Sequence, residues 1–263
     1  MNKENTIKAR LLKILSYLAA LFLYLGLVWV CQMEDVIPSN QGLVGNFIEW
    51  FGILYSVMLG LIVVQVSAKY HTVNALIDKE ADALVSLLRY ASFMQESESF
   101  FRLSTAVYKY CAFMSRSGIS SINKRVKVNR LYKDIYMQVL ELLDKRIEQP
   151  HIAQEIIRSF DEATDTRGDR ESLMRVRTRK ILWFLIILAS MIWLLSFFWL
   201  NYDDVPLFIS SLMLYGTSVT VLGILFSAKE IDNPTTGFWR ASFASFRESC
   251  DEIRLMRQLA GCQ

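Results

Sequence analysis

Chemistry at a protein site needs a nucleophile, a proton carrier or a metal ligand, and this chain offers few of them. His71 and His151 are its two histidines. They cannot make a His/Glu metal signature, and they leave a nucleophile, His and acid set with few candidates. Cys31, Cys111, Cys250 and Cys262 are far apart and contain no CxxC pair, so neither zinc nor a structural disulfide is implied and plain thiols are expected. Asp161, Glu162, Asp165 and Asp169 concentrate oxygen ligands, but Arg167 interrupts them and they lack the regular register of a calcium loop. The stretch Asp161 to Arg170 reads as a polar interhelical loop. Lys124, Arg125, Lys127 and Arg130 form a basic cluster that could meet anionic lipid or a permeating anion, with a solvated helix face as the simpler reading. No catalytic residue, metal site or cofactor is expected, and the chain is not read as an enzyme.

The elements that carry these residues follow from composition. In 263 residues, 53% hydrophobic and 13% aromatic content excludes a water-soluble globule. Four Pro and eleven Gly without repeated turn signals exclude collagen-like, low-complexity and small all-β chains. The 29 basic and 26 acidic residues are too balanced to suggest a nucleic-acid partner. Uncharged runs from Ile14 to Met33, Trp50 to Ala68, Ile181 to Tyr202 and Val205 to Ala228 each reach the roughly 20 residues that cross a bilayer. Trp29, Trp50 and Trp199 sit near one side and Trp183 near the other, where amphipathic rings prefer headgroup depth. An all-α membrane protein with four transmembrane helices is expected. The first run lacks a small-x-small cleavage site and reads as an anchor, not a signal peptide.

Orientation follows from charge. Gln32 to Glu49 and Asn201 to Asp204, the segments between paired spans, contain no Lys or Arg, so they are expected outside. This gives a cytoplasmic N-terminus over 1–13, transmembrane helices 1 and 2 over 14–68, and a cytoplasmic helical domain over 69–180. Transmembrane helices 3 and 4 follow over 181–228, then a cytoplasmic tail over 229–263. Within the middle segment the only helix breakers are Gly118, Pro150 and Gly168, and apolar residues keep helical spacing. The second span meets no breaker after Gly60, so one helix is predicted to run on to about Met94. Ser115 to Lys124 is predicted as a loop. Arg175, Arg177, Arg179 and Lys180 precede the third span, where basic residues fix topology.

No Asp, Glu, Lys, Arg or His lies inside a span, which argues against proton-coupled carriers and intramembrane hydrolases. Glu49 is the nearest acid, at the outer rim. Gly52, Ser56 and Gly60 recur every four residues, placing small side chains on one stripe where helices can approach, within or between subunits.

The segment Ile53-Leu-Tyr-Ser56-Val57-Met-Leu-Gly60-Leu61-Ile-Val63, with Lys69-Tyr70 at its inner edge, resembles the pore helix of the bestrophin family. Asn233, Pro234 and Gly237, in the stretch after the fourth span, are similar to that family's Asn-Pro motif. Glu80-Ala81 with Leu84, Leu87 and Arg89, and the four-span layout, look like the bacterial bestrophin-like membrane proteins. The resemblance implies a pentamer with Ile53, Val57 and Leu61 at an apolar neck on its axis, and their spacing of four places them on one helical face. Rings of apolar side chains gate by dewetting. These neck positions are aliphatic where the family often has Phe, which removes ring edges that could stabilise an anion. No acidic run follows Pro234, which argues against a calcium clasp of the family's kind.

The reading is a homo-oligomeric, pentameric bestrophin-like ion channel of a bacterial inner membrane, with both termini cytoplasmic and Glu49 at the outer mouth. Its partners would be the lipid bilayer, further copies of itself and permeant inorganic ions. The alternative is a non-conducting, membrane-anchored scaffold or sensor whose cytoplasmic helices bind a partner. The face of Ile53, Val57 and Leu61 separates the two, because a scaffold has no reason to set it around a solvent-accessible axis.

Overall fold

The computed structural model describes residues 26, 41–94, 97–117, 122–144, 150–196, 207–232, 241–259 and 261. These residues form helices and contain no strand: α1 (Gln41–Ala91), α2 (Ser97–Ser117), α3 (Ile122–Asp144), α4 (Pro150–Arg175), α5 (Lys180–Ser196), α6 (Leu207–Ile231) and α7 (Ala244–Leu259). The chain divides into two compact units, one of residues 1–65 with 178–229 and the other of residues 66–177 with 230–263.

Helix α1 runs for 51 residues because nothing after Gly60 interrupts its hydrogen bonding. It stops at Ala91, where the Phe93 N–H donates to Tyr90 O and the Met94 N–H to Ala91 O, the tight bonds that close a helix end. One continuous helix was expected to about Met94, and it ends one turn earlier.

In the first unit, α1 turns Tyr55, Leu59 and Ile62 inward at spacings of four and three, the period of one helical face. The Tyr55 ring stacks on Trp193 of α5 with centroids 5.4 Å apart. Its hydroxyl lies 2.9 Å from Ser190 Oγ. Ser190 spends its own proton on Ile186 O at 2.6 Å, so Tyr55 is the donor to Ser190. Most of the remaining α5 surface is large and apolar yet exposed, including Phe184, Ile187, Met191 and Leu195.

The second unit holds the principal core. Val73, Ile77, Ala81, Leu84, Leu87 and Leu88 of α1 meet Leu103, Val107, Tyr110 and Met114 of α2 and Ile135 and Leu142 of α3. Ile156 and Ala163 of α4 and Phe246 and Ile253 of α7 complete the same cluster. Helix α2 packs against both α3 and α7. Tyr110 makes edge contacts with Tyr132 and Phe246, at 5.4 and 5.9 Å, the arrangement that aromatic quadrupoles favour.

Two expected loops need correction. Asp161 to Arg170 is not a loop, since α4 passes through it without a break. The buried stripe Ile156, Phe160, Ala163, Thr166, Arg170 and Met174 keeps a spacing of three to four, and Gly168, on the exposed side, costs the helix only about 1 kcal/mol. Ser115 to Lys124 is shorter than a loop of that length, because α2 reaches Ser117 and α3 starts at Ile122.

Among the described residues, α1 carries a window long and apolar enough to cross a membrane, and counting Pro150–Arg175 with Lys180–Ser196 as one span makes a second. The first expected run, Ile14 to Met33, lies outside the described residues except for position 26. The third is described as far as Ser196, and α6 covers most of the fourth.

Candidate functional site

The α1 face opposite Tyr55, Leu59 and Ile62 is left uncovered by the chain's own packing. Ile53, Val57 and Leu61 are 56%, 56% and 66% exposed, and Val64 extends the row. Ile, Val and Leu are commonly buried, so a continuous exposed row of them marks a surface that meets lipid, another copy or an apolar passage. Glu49 is exposed one turn before Ile53, and a residue four positions earlier lies on the same side of a helix. No Asp, Glu, Lys, Arg or His falls between Ile53 and Val64, and Tyr55 points to the packed face. The row can pack or exclude water, and it can do no proton or ligand chemistry.

The small stripe beside it divides by use. A Cβ on Gly52 would sit 3.1 Å from Trp193 Nε1, so this glycine lets the α5 indole close on α1. Ser56 Oγ donates to Gly52 O at 2.7 Å, a back-bond within the helix. Gly60 has no atom within 4 Å of such a Cβ. Among the described residues, nothing uses the space at Gly60.

Below residue 65, two polar centres hold α1 in the second unit. Lys69 Nζ donates to Val176 O, to Asp232 O at 3.0 Å and to Asp232 Oδ1 at 3.4 Å. One ammonium thus ties α1 to the segment after α4 and to the end of α6, just before the Asn233-Pro234 motif. Asn233, Pro234 and Gly237 themselves lie outside the described residues.

The second centre is fully enclosed. Arg170 Nε donates to Glu80 Oε2 at 2.6 Å, and both side chains have zero exposure. Tyr110 donates to Glu80 Oε1. Burial, with the adjacent Glu80 carboxylate, pushes the Tyr110 phenol well above its ordinary value, so it remains a donor. Burial works against the Arg170 cation, but Glu80 and Tyr110 outweigh it and its pKa is raised. The pair joins α1 to α4, and a buried charge of this kind persists only with its partner in place. Glu80 was singled out by its motif; Arg170 and Tyr110 were missed.

The other expected features are not brought together. His71 and His151 are exposed, and no group of three or more His, Cys, Asp or Glu among the described residues could hold a metal ion. Cys111 and Cys250 are buried free thiols. Lys127 of the basic cluster lies 4.9 Å from the centre of the Phe113 ring, and Arg175 pairs with Glu171 at 3.4 Å.

Solved structures place this geometry among known folds. A bacterial bestrophin homologue from Klebsiella pneumoniae, in one point variant, superposes with a TM-score of 0.74 at 13% identity, covering 91% of this chain and 98% of that one. A second variant gives 0.71 at 12% identity, with 92% and 97% covered. A crystal structure described as that of a membrane protein gives 0.73 at 12% identity over 94% of this chain and 99% of its own. No curated protein sequence matches significantly. At such identities the likeness concerns the fold alone. The sequence profile of the Bestrophin-like domain, however, matches residues 14–246, nearly the whole length, and on that ground the chain belongs to the bestrophin-like family.

Proposed function

We propose that the chain assembles into a homopentameric ion channel of a bacterial inner membrane, with α1 from each subunit lining the pore. The observation that carries this reading is the uncovered row of Ile53, Val57 and Leu61, opposite the face that packs on α5, in a chain of bestrophin-like fold. Set around an axis, five copies of that row make stacked apolar rings, a neck narrow and dry enough to gate by dewetting. Gly60, open among the described residues, suits close approach of a second copy. Four crossings per subunit, with both termini and the second unit cytoplasmic, follow from the distribution of basic residues. Glu49 then rings the outer mouth, and Asn233, Pro234 and Gly237 follow the fourth crossing on the inner side. The domain boundaries at 13, 68, 180 and 228 belong to the same reading.

The test is ion flux into liposomes containing the purified protein. The wild type should conduct, and Val57→Ser should raise flux by placing hydroxyls in the neck and weakening the dewetting barrier. Absence of flux from both proteins across voltage and pH would refute conduction and favour a membrane-anchored scaffold. Conduction with Val57→Ser unchanged would refute the neck.

A further inference from the structure

Within the second unit, α2 and α7 enclose a cleft of about 400 Å³ that the channel reading does not use. Tyr108 and Arg116 enter it from α2, and Arg247, Cys250, Asp251 and Arg254 from α7. Spacings of eight on α2 and of three, one and three on α7 bring each set to one helical face. The cleft therefore collects three guanidiniums against one carboxylate.

The carboxylate is already engaged. Arg254 Nη1 donates to Asp251 Oδ1 at 3.2 Å, and its Nη2 donates to the Tyr108 hydroxyl at 2.7 Å. The same guanidinium lies 5.4 Å from the centre of the Tyr108 ring. Arg254 is thus held in a defined position on the cleft wall. Arg116 and Arg247 make no ion pair among the described residues, and the neighbouring stretches 118–121 and 233–240 contain no Asp or Glu.

Arg116 has an internal explanation, since it lies in the last turn of α2, where a cation offsets the negative end of the helix dipole. Arg247 has none. It lies in the first turn of α7, which holds no acidic residue, and there the dipole opposes a cation. Burial raises the Cys250 thiol's pKa, Arg254 pulls it down, Asp251 pushes it up and Arg116 pulls it down again, so both guanidiniums and the carboxylate impose their field on the same lining atom. An Arg without an ion pair at the positive end of a helix, sharing a cleft with Arg254 of its own helix and Arg116 of the other wall, is an arrangement completed by an anion.

We propose that this cleft binds a phosphate group, supplied by a soluble phosphate compound or by a phospholipid headgroup. Guanidinium forks match phosphate oxygens bidentately, and the α7 dipole at Arg247 favours an anion. The cleft is at the small end of the range for ligand pockets, large enough for a diphosphate or a headgroup. The site is independent of whether the protein conducts.

The experiment uses the full chain in phosphatidylcholine nanodiscs and radiolabelled inorganic pyrophosphate in equilibrium dialysis. Saturable binding is expected. Arg247→Gln and Arg116→Gln should each weaken it roughly ten- to a hundred-fold, the effect of losing a charge-assisted hydrogen bond. Arg247→Lys should retain more affinity than Arg247→Gln, and Arg158→Gln, outside the cleft, should leave binding unchanged. Adding phosphatidylglycerol to the nanodiscs separates the sources: displacement of pyrophosphate assigns a headgroup, and no displacement assigns a soluble phosphate compound. Absence of saturable binding to the wild type overturns the proposal whatever the variants' folding. Equal binding by wild type and folded Arg247→Gln overturns it as well.

Discussion

The enclosed pair of Glu80 and Arg170 permits a quantitative test of what holds α1 to the second unit. Replacing Arg170 with Met preserves bulk but strands the Glu80 carboxylate at zero exposure, with Tyr110 as its remaining donor. Breaking a buried pair by removing one partner costs about 3–5 kcal/mol. For a chain of this size each kcal/mol shifts the melting temperature by about 2–4 °C, so Arg170→Met should melt roughly 6–20 °C lower. Glu80→Gln strands the guanidinium and should cost a similar amount. The double variant is the discriminating one. Glu80→Gln together with Arg170→Met leaves an amide that can still accept from Tyr110 and removes both charges, so its loss should fall below the sum of the single losses by about 2 kcal/mol or more. Thermal unfolding at matched detergent and protein concentration, followed by gel filtration of the soluble fraction, measures all four proteins. Additive losses, or Arg170→Met melting within about 2 °C of wild type, would refute the claim that these charges are energetically coupled.

Three further outcomes follow from the same geometry. Gly60→Leu should yield smaller complexes by mass measurement, because a bulky chain would enter the space that the proposed assembly gives to a second copy; native mass would move that face to lipid. Glu49 copies around an outer mouth would concentrate cations, so reversal potentials should show a modest cation preference that shrinks with salt and is lost in Glu49→Gln; a firm anion preference unchanged by that variant would remove Glu49 from the entrance. Because burial and Glu80 hold Tyr110 protonated well above its ordinary value, the unfolded chain releases that proton first. Its contribution is therefore constant below about pH 10 and falls above it, and Tyr110→Phe should flatten the alkaline loss of stability, with Tyr132, pushed up to about 12 mainly by burial, accounting for a remainder.

What could be read in advance was whatever depends on neighbours along the chain. The length of α1, its apolar row and its small stripe are all patterns of period three to four without a breaker, and they appear in the structure as the exposed and packed faces of one helix. Helix α4 was misread for the converse reason. Its buried stripe includes Thr166 and Arg170 as well as Ile156 and Phe160, so hydropathy showed no apolar face over Asp161 to Arg170, and the acids on the exposed side made the stretch look like a loop. Spacing with polar members admitted would have found it.

The centres that fasten α1 were hidden more deeply. Lys69 meets Asp232 across 163 positions, and Glu80 meets Arg170 across 90; no local rule pairs residues at such separations. One local sign was nonetheless present. Glu80 stands in the stripe Val73, Ile77, Ala81, Leu84, Leu88, and a carboxylate on an otherwise apolar helical face costs several kcal/mol unless a cation or donors arrive with it. That sign demands a buried basic partner. Choosing it among 29 Lys and Arg requires knowing which helices pack on the stripe. The helix that supplies the partner is α4, the element whose own buried Arg made it unreadable, so the two omissions have one cause: a buried ion pair conceals each partner's helix from any rule that equates burial with hydrophobicity.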